Sequence, residues 1–121
     1  MDEESDRTKV VILGADYVDG ENDSINVEFS HDGRSKDGET ILEIELTDGT
    51  IKSTSIPDGQ MVSNGTIPIN GTLMPEKKYS GQIYGYHVKK NKVQGAYSAS
   101  WPFSFEVAPM KSLYKTMYIP S

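Results

Sequence analysis

The chain has no cysteine among its 121 residues, so neither a disulfide nor a thiolate-held metal can stabilise it. A packed core must do so alone. No apolar run approaches the roughly 20 residues that a bilayer-spanning helix requires, and helical apolar periodicity is almost missing. The opening Met1-Asp2-Glu3-Glu4-Ser5-Asp6 is acidic where an export signal is basic and then apolar. No signal peptide or membrane span is read, and localisation is unknown from the sequence, a virion or an extracellular surface being among the options. Positive charge is in deficit, with 12 Lys and Arg against 18 Asp and Glu, a net charge of −6 and a pI near 4.8. That balance repels phosphate backbones and anionic lipid, so neither nucleic acid nor membrane insertion is expected.

Groups suited to catalysis are equally scarce. His31 and His87 are the only histidines, and neither stands in a motif that would make it the base for a serine or threonine nucleophile. There is no phosphate-cradling loop and no zinc spacing. Asp19-Gly20-Glu21-Asn22-Asp23 and the stretch from Asp32 to Glu39 gather carboxylates in loops. The first lacks a sixth-position glycine and the second sets Arg34 and Lys36 where calcium ligands belong, so solvated loop charge is the simpler reading. The expectation is a non-enzymatic protein with no cofactor and no metal. Asn22, Asn64 and Asn70 open glycosylation sequons, but two of them are Asn-Gly pairs that a tight turn explains without sugar.

What is present is strand alternation. Val10-Val11-Ile12-Leu13 reads as a first strand ending at Gly14. Ile25, Val27 and Phe29 alternate with Asn26 and Glu28, and Leu42, Ile44 and Leu46 with Glu43 and Glu45, before the hairpin signal Asp48-Gly49. Ile51 to Ile56 is expected to pair back on that strand. Ile67 and Ile69 flank Pro68, which places their strand at a sheet edge. The longest strand sets Tyr79, Gly81, Ile83, Gly85 and His87 on one side and Tyr84, Tyr86 and Val88 on the other. It turns at a tip of Lys89-Lys90-Asn91-Lys92 and returns through Trp101, Phe103, Phe105 and Val107, with Pro102 marking an edge or an irregularity. About seven strands in one domain predict an all-β, seven-stranded antiparallel β-sandwich over 9–108, with an acidic tail at 1–8 and a C-terminal arm at 109–121.

Leu73-x-Pro75-x-x-x-Tyr79, leading into the alternation of Gly81, Ile83 and Gly85, resembles the segment joining the fifth and sixth strands of a fibronectin type III domain, within the immunoglobulin-like sandwiches. The resemblance covers about Lys9 to Val107. It implies that the Tyr79 hydroxyl bonds back to the chain at this corner. Phe29 stands where the family places a tryptophan, and Ile69 to Leu73 is one residue longer than its usual approach to that leucine. The resemblance further implies that recognition sits in end loops, here Lys89 to Gly95.

Two roles follow as expectations. The first is a protein-interaction or structural module, such as a phage decoration or tail component or a surface protein, whose partner is another protein or a neighbouring subunit. Its contacts would be Lys89, Lys90 and Lys92 at the tip and Leu113, Tyr114, Met117, Tyr118 and Ile119 in the arm, which is more apolar than a free tail requires. The simpler account of the lysines is solvated charge that blocks edge pairing. The second is a carbohydrate-binding or adhesion module in which Trp101, Tyr84 or Tyr86 stacks on sugar, although strand packing explains those rings more cheaply.

Overall fold

A period of two in the side chains means that each strand offers one face to a core and the other to water. The computed structural model describes residues 9–19, 23–32, 38–57, 62–69, 73–90, 92–94 and 97–109, and they follow that period. The strands are β1 (Lys9–Val18), β2 (Ser24–Asp32), β3 (Glu39–Leu46), β4 (Ile51–Pro57), β5 (Asn64–Pro68), β6 (Lys78–Lys89), β7 (Lys92–Gln94) and β8 (Trp101–Glu106). They form an all-β fold of two antiparallel sheets, one with the order β1-β2-β5 and one with β4-β3-β6-β7 in which β8 also pairs with β6. Residues 1–8 and 110–121, the expected tail and most of the expected arm, lie outside the described residues.

The two inner faces meet in one cluster. Val10 and Ile12 of β1, Ile25, Val27 and Phe29 of β2, and Ile67 of β5 pack against Leu42, Ile44 and Leu46 of β3, Ile56 of β4, Ile83 of β6 and Phe105 of β8. Burying a side chain of this size is worth about 1.5–3 kcal/mol, and with no covalent crosslink this cluster is what opposes chain entropy. Phe29 is completely buried.

Among the described residues eight strands stand where the sequence predicts about seven, because the return strand is split. With β3 along one edge of β6, from Gly81 to Val88, both β7 and β8 lie on the other edge. β7 pairs with His87–Lys89 and β8 with Lys78–Ile83. Between them Ser98 takes the place of a strand residue. Its N–H donates to the Gly85 carbonyl at 2.8 Å, and its Oγ accepts the Gly85 N–H at 2.8 Å. Both edge groups of Gly85 are thereby satisfied in the gap. Gly85 itself must lack a side chain, since a Cβ there would sit 2.7 Å from Val10 Cγ1.

The first strand also departs from expectation. Gly14 does not end β1, which continues to Val18 through a bulge at Leu13. The extra residue reverses the phase. Val10 and Ile12 point inward before it, Ala15 and Tyr17 pack against the core after it, and Leu13 is left outward and 51% exposed. Reading a glycine after an apolar run as a stop overlooks this use of glycine beside a bulge.

The hairpins keep to sequence expectations. Thr47-Asp48-Gly49 forms a three-residue loop in which the Gly49 N–H donates to the Leu46 carbonyl at 2.9 Å and Gly49 takes φ = 95°. The Asp48 carboxylate accepts the Thr50 N–H at 2.9 Å, and that bond holds its pKa below the usual carboxylate range. β4 pairs with β3 as expected, and β5, with Pro68, is an edge strand.

Two phenols lock the end of the sandwich opposite the lysine tip. The Met74 N–H donates to the Tyr79 hydroxyl at 3.0 Å, so the corner closes as Leu73 to Tyr79 foretold. The Tyr17 hydroxyl donates to Asp23 Oδ2 at 2.7 Å and accepts the Ala108 N–H at 2.8 Å, tying the end of β1 to the residues after β8. Phe105 lies between these two rings, its centroid 5.5 Å from that of Tyr17 and 5.8 Å from that of Tyr79.

Tyr79→Phe keeps the ring and removes only the acceptor of the Met74 N–H. Urea denaturation is expected to show a loss of about 1–2 kcal/mol with an unchanged m-value. Gly85→Ala, which drives a methyl against Val10, should lose about 1–3 kcal/mol.

Candidate functional site

The outer face of the five-stranded sheet is built by the residues that alternate with the core. Glu39, Ile41, Glu43 and Glu45 of β3 lie there beside Gln82, Tyr84, Tyr86 and Val88 of β6, and beside Ile51, Ser53 and Ser55 of β4. Glu43 is the register partner of Tyr84 and the diagonal neighbour of Tyr86. The Tyr84 hydroxyl donates to Glu43 Oε2, and the Tyr86 hydroxyl donates to Glu43 Oε1 at 3.4 Å. One carboxylate therefore holds two phenols at fixed positions on the face.

A third ring comes from outside the strands. Because Ser98 is pinned to Gly85, the preceding Tyr97 is carried over the same face. Its ring centroid lies 4.5 Å from that of Tyr86 and 5.8 Å from that of Tyr84, and the residue remains 51% exposed. Tyr84 and Tyr86 are 6.4 Å apart and within 24° of parallel. The result is an aromatic platform of three rings, anchored by one carboxylate and open to solvent on the Tyr97 side. Towards β8 the face dips into a shallow trough of about 510 Å³ lined by Glu45, Gln82, Pro102 and Phe103 among others.

The electrostatics of this face are one-sided. Among the described residues the register places Glu39, Glu43 and Glu45 along β3, and the one lysine on the face, Lys78, sits at the far end of β6 opposite Glu106. The hydrogen bond to Glu43, with burial second, pushes the Tyr84 phenol well above its ordinary value. Burial, followed by the charge of Glu43, raises that of Tyr86. The opposite outer face differs in kind. There β1, β2 and β5 present Asp16, Asn26, Glu28, Asn64 and Thr66, with Val11, Leu13 and Val18 as exposed apolar residues.

The residues expected from sequence are distributed unevenly. Lys89 and Lys92 pair across β6 and β7, Lys90 follows β6 at φ = 54°, and Asn91 lies outside the described residues. Leu113, Tyr114, Met117, Tyr118 and Ile119 lie outside the described residues. Tyr84 and Tyr86 do share an open face. Trp101 is apart from them, at the start of β8 opposite Ile83 and 37% exposed. His87 is fully buried among core residues, beside Thr40, and His31 lies in β2.

Glu43 and Tyr97 were not singled out from sequence. Glu43 appears there only as a wet strand position, because its pairing with Tyr84 joins residues 41 apart. Tyr97 lies in no periodic segment, and only the Ser98–Gly85 bridge brings it onto the face. Among the described residues no group of His, Cys, Asp or Glu gathers as a metal site, and no helix is long and apolar enough to cross a membrane. No protein-family model matches the chain, and no curated protein matches it.

Folding raises the pKa of Tyr84, so its contribution to stability is whole below the ordinary phenol value of about 10 and declines as pH rises from there through the folded value. Absorbance titration at 295 nm should show a late-ionising phenol that returns towards its ordinary range in Glu43→Gln. Ser98→Ala leaves the Gly85 N–H without its acceptor. A loss of about 1–2 kcal/mol is expected, together with weaker nuclear Overhauser contacts between the Tyr97 and Tyr86 rings.

Proposed function

We propose that this chain is a fibronectin type III-like, non-enzymatic protein-interaction module, and that it engages its partner through the tyrosine face of its larger sheet. The family reading is supported by strands 1, 2 and 5 forming one layer, by strands 3, 4, 6 and the split return strand forming the other, and by the Tyr79 hydroxyl bonded across the segment that joins β5 to β6. Fold alone does not supply a function, so the role rests on the site. The observation that carries it is the trio Tyr84, Tyr86 and Tyr97, pre-arranged by Glu43 and Ser98 yet left open to solvent. Tyrosines held in one conformation lose little entropy on binding and supply large contact areas, which is why such rings dominate interface energetics. The setting we propose is an assembly, a phage virion or a surface structure, in which one small domain adds a binding face.

Carbohydrate stacking is the competing reading, and it draws on the same rings. It receives less support because Trp101 is not part of the cluster. A random-peptide display library panned on the wild type should yield ligands that bind at least tenfold more weakly to a folded Tyr86→Ala/Tyr97→Ala variant, while a glycan array stays silent. Peptides that bind both proteins equally, or glycan signals that vanish in the variant, would overturn the protein-partner reading.

A further inference from the structure

Resting on the reading of the tyrosine face as a binding surface, we infer that its partner is an extended, arginine-bearing segment of another protein. Three features of the face converge on that chemistry.

The first is charge. Glu39, Glu43 and Glu45 lie on one side of β3, and the lysine that the register sets between the last two, Lys52 opposite Ile44, alternates to the other face. Carboxylates kept close together repel one another, and a cationic ligand relieves that repulsion. The second is the rings. Tyr97 sits on Tyr86 with a centroid separation of 4.5 Å, too tight for a cation to enter between them, so the available surface is the outer side of the platform. A planar guanidinium lies flat on such a ring, is attracted by its electron-rich face, and keeps its N–H groups free at the edge. A compact ammonium does this less well. The third is lone-pair capacity. A carboxylate offers about four acceptor sites, and the two phenols of Tyr84 and Tyr86 occupy two on Glu43. The remaining acceptors point the guanidinium to a defined place beside the rings.

Spacing sets the form of the segment. Glu43 and Glu45 are two residues apart on one strand, hence about 7 Å apart. Side chains at alternate positions of an extended peptide share that repeat. Arginines at alternate positions therefore match the two carboxylates while the first of them covers the tyrosines. The trough beside Glu45, Gln82 and Pro102 continues this track towards β8.

The test is a titration of the ¹⁵N-labelled full chain with the peptide acetyl-Arg-Ser-Arg-Ser-Arg-amide at low salt, and separately with the neutral oligosaccharide cellohexaose. Shift changes are expected to centre on Glu43, Glu45, Tyr84, Tyr86 and Tyr97 with the peptide only. Affinity should fall at least tenfold in Glu43→Gln/Glu45→Gln and at least fivefold in Tyr97→Ala. The double variant Asp16→Asn/Glu28→Gln, which removes the same charge from the opposite sheet, should bind within twofold of wild type. Equal weakening by both double variants would mean that net charge alone attracts the peptide, and would overturn the inference. Cellohexaose shifts centred on Tyr97 with none from the peptide would overturn the cationic partner while leaving the face a binding site. Silence from both probes, alongside library peptides that still require Tyr86 and Tyr97, would reject the arginine chemistry and leave the proposed interaction role standing.

Discussion

The two-residue period of β6 is the constraint on which the rest depends. Tyr79, Ile83, Gly85 and His87 turn inward from this strand, while Gln82, Tyr84 and Tyr86 turn outward. It is also paired on both edges, by β3 along one side and by β7 and β8 along the other. A slip of one residue would send the tyrosines into the core and Ile83 into water. Core and candidate binding face are therefore specified by one register, and a change that loosens either disturbs the other.

The gap in the return strand shows how a structural requirement yields a surface feature. With β7 ending at Gln94 and β8 starting at Trp101, the Gly85 N–H and carbonyl would face an empty edge. Ser98 satisfies both, one with its N–H and one with its hydroxyl. Once that residue is held, Tyr97 has little choice of position and stacks over Tyr86. Glu43 completes the arrangement from the other side by accepting both phenols. The rings are ordered by polar bonds at their rims, which leaves the outer aromatic surface free for contact.

At the opposite end, Tyr79 and Tyr17 perform a different task with the same side chain. Each places its ring against Phe105 and its hydroxyl on a backbone N–H, of Met74 and Ala108 respectively. A phenylalanine would supply the packing but leave those N–H groups without the acceptor. The described tyrosines thus divide between closing the sandwich and dressing its larger sheet, with Tyr79 and Tyr97 at the two extremes of exposure. Tyr79 is 8% exposed, whereas Tyr97 is 51% exposed.

Local chemistry was enough to determine the strands, since alternation in Ile25 to Phe29, Leu42 to Leu46 and Tyr79 to His87 follows from a period of two. The Asp48-Gly49 turn and the Tyr79 corner were legible too, because each is contained within a few neighbouring residues. The continuation of β1 past Gly14 was not, because a bulge is visible only against its partner strand. Nor was the division of the return strand into β7 and β8. The candidate site was half legible: Tyr84 and Tyr86 share a side by spacing alone, but Glu43 reaches them from 41 residues away, and Tyr97 arrives through a bridge that no local pattern encodes. Tertiary structure alone decided which charge meets which ring, since pairing between distant strands is set by how the two sheets bury their apolar faces together.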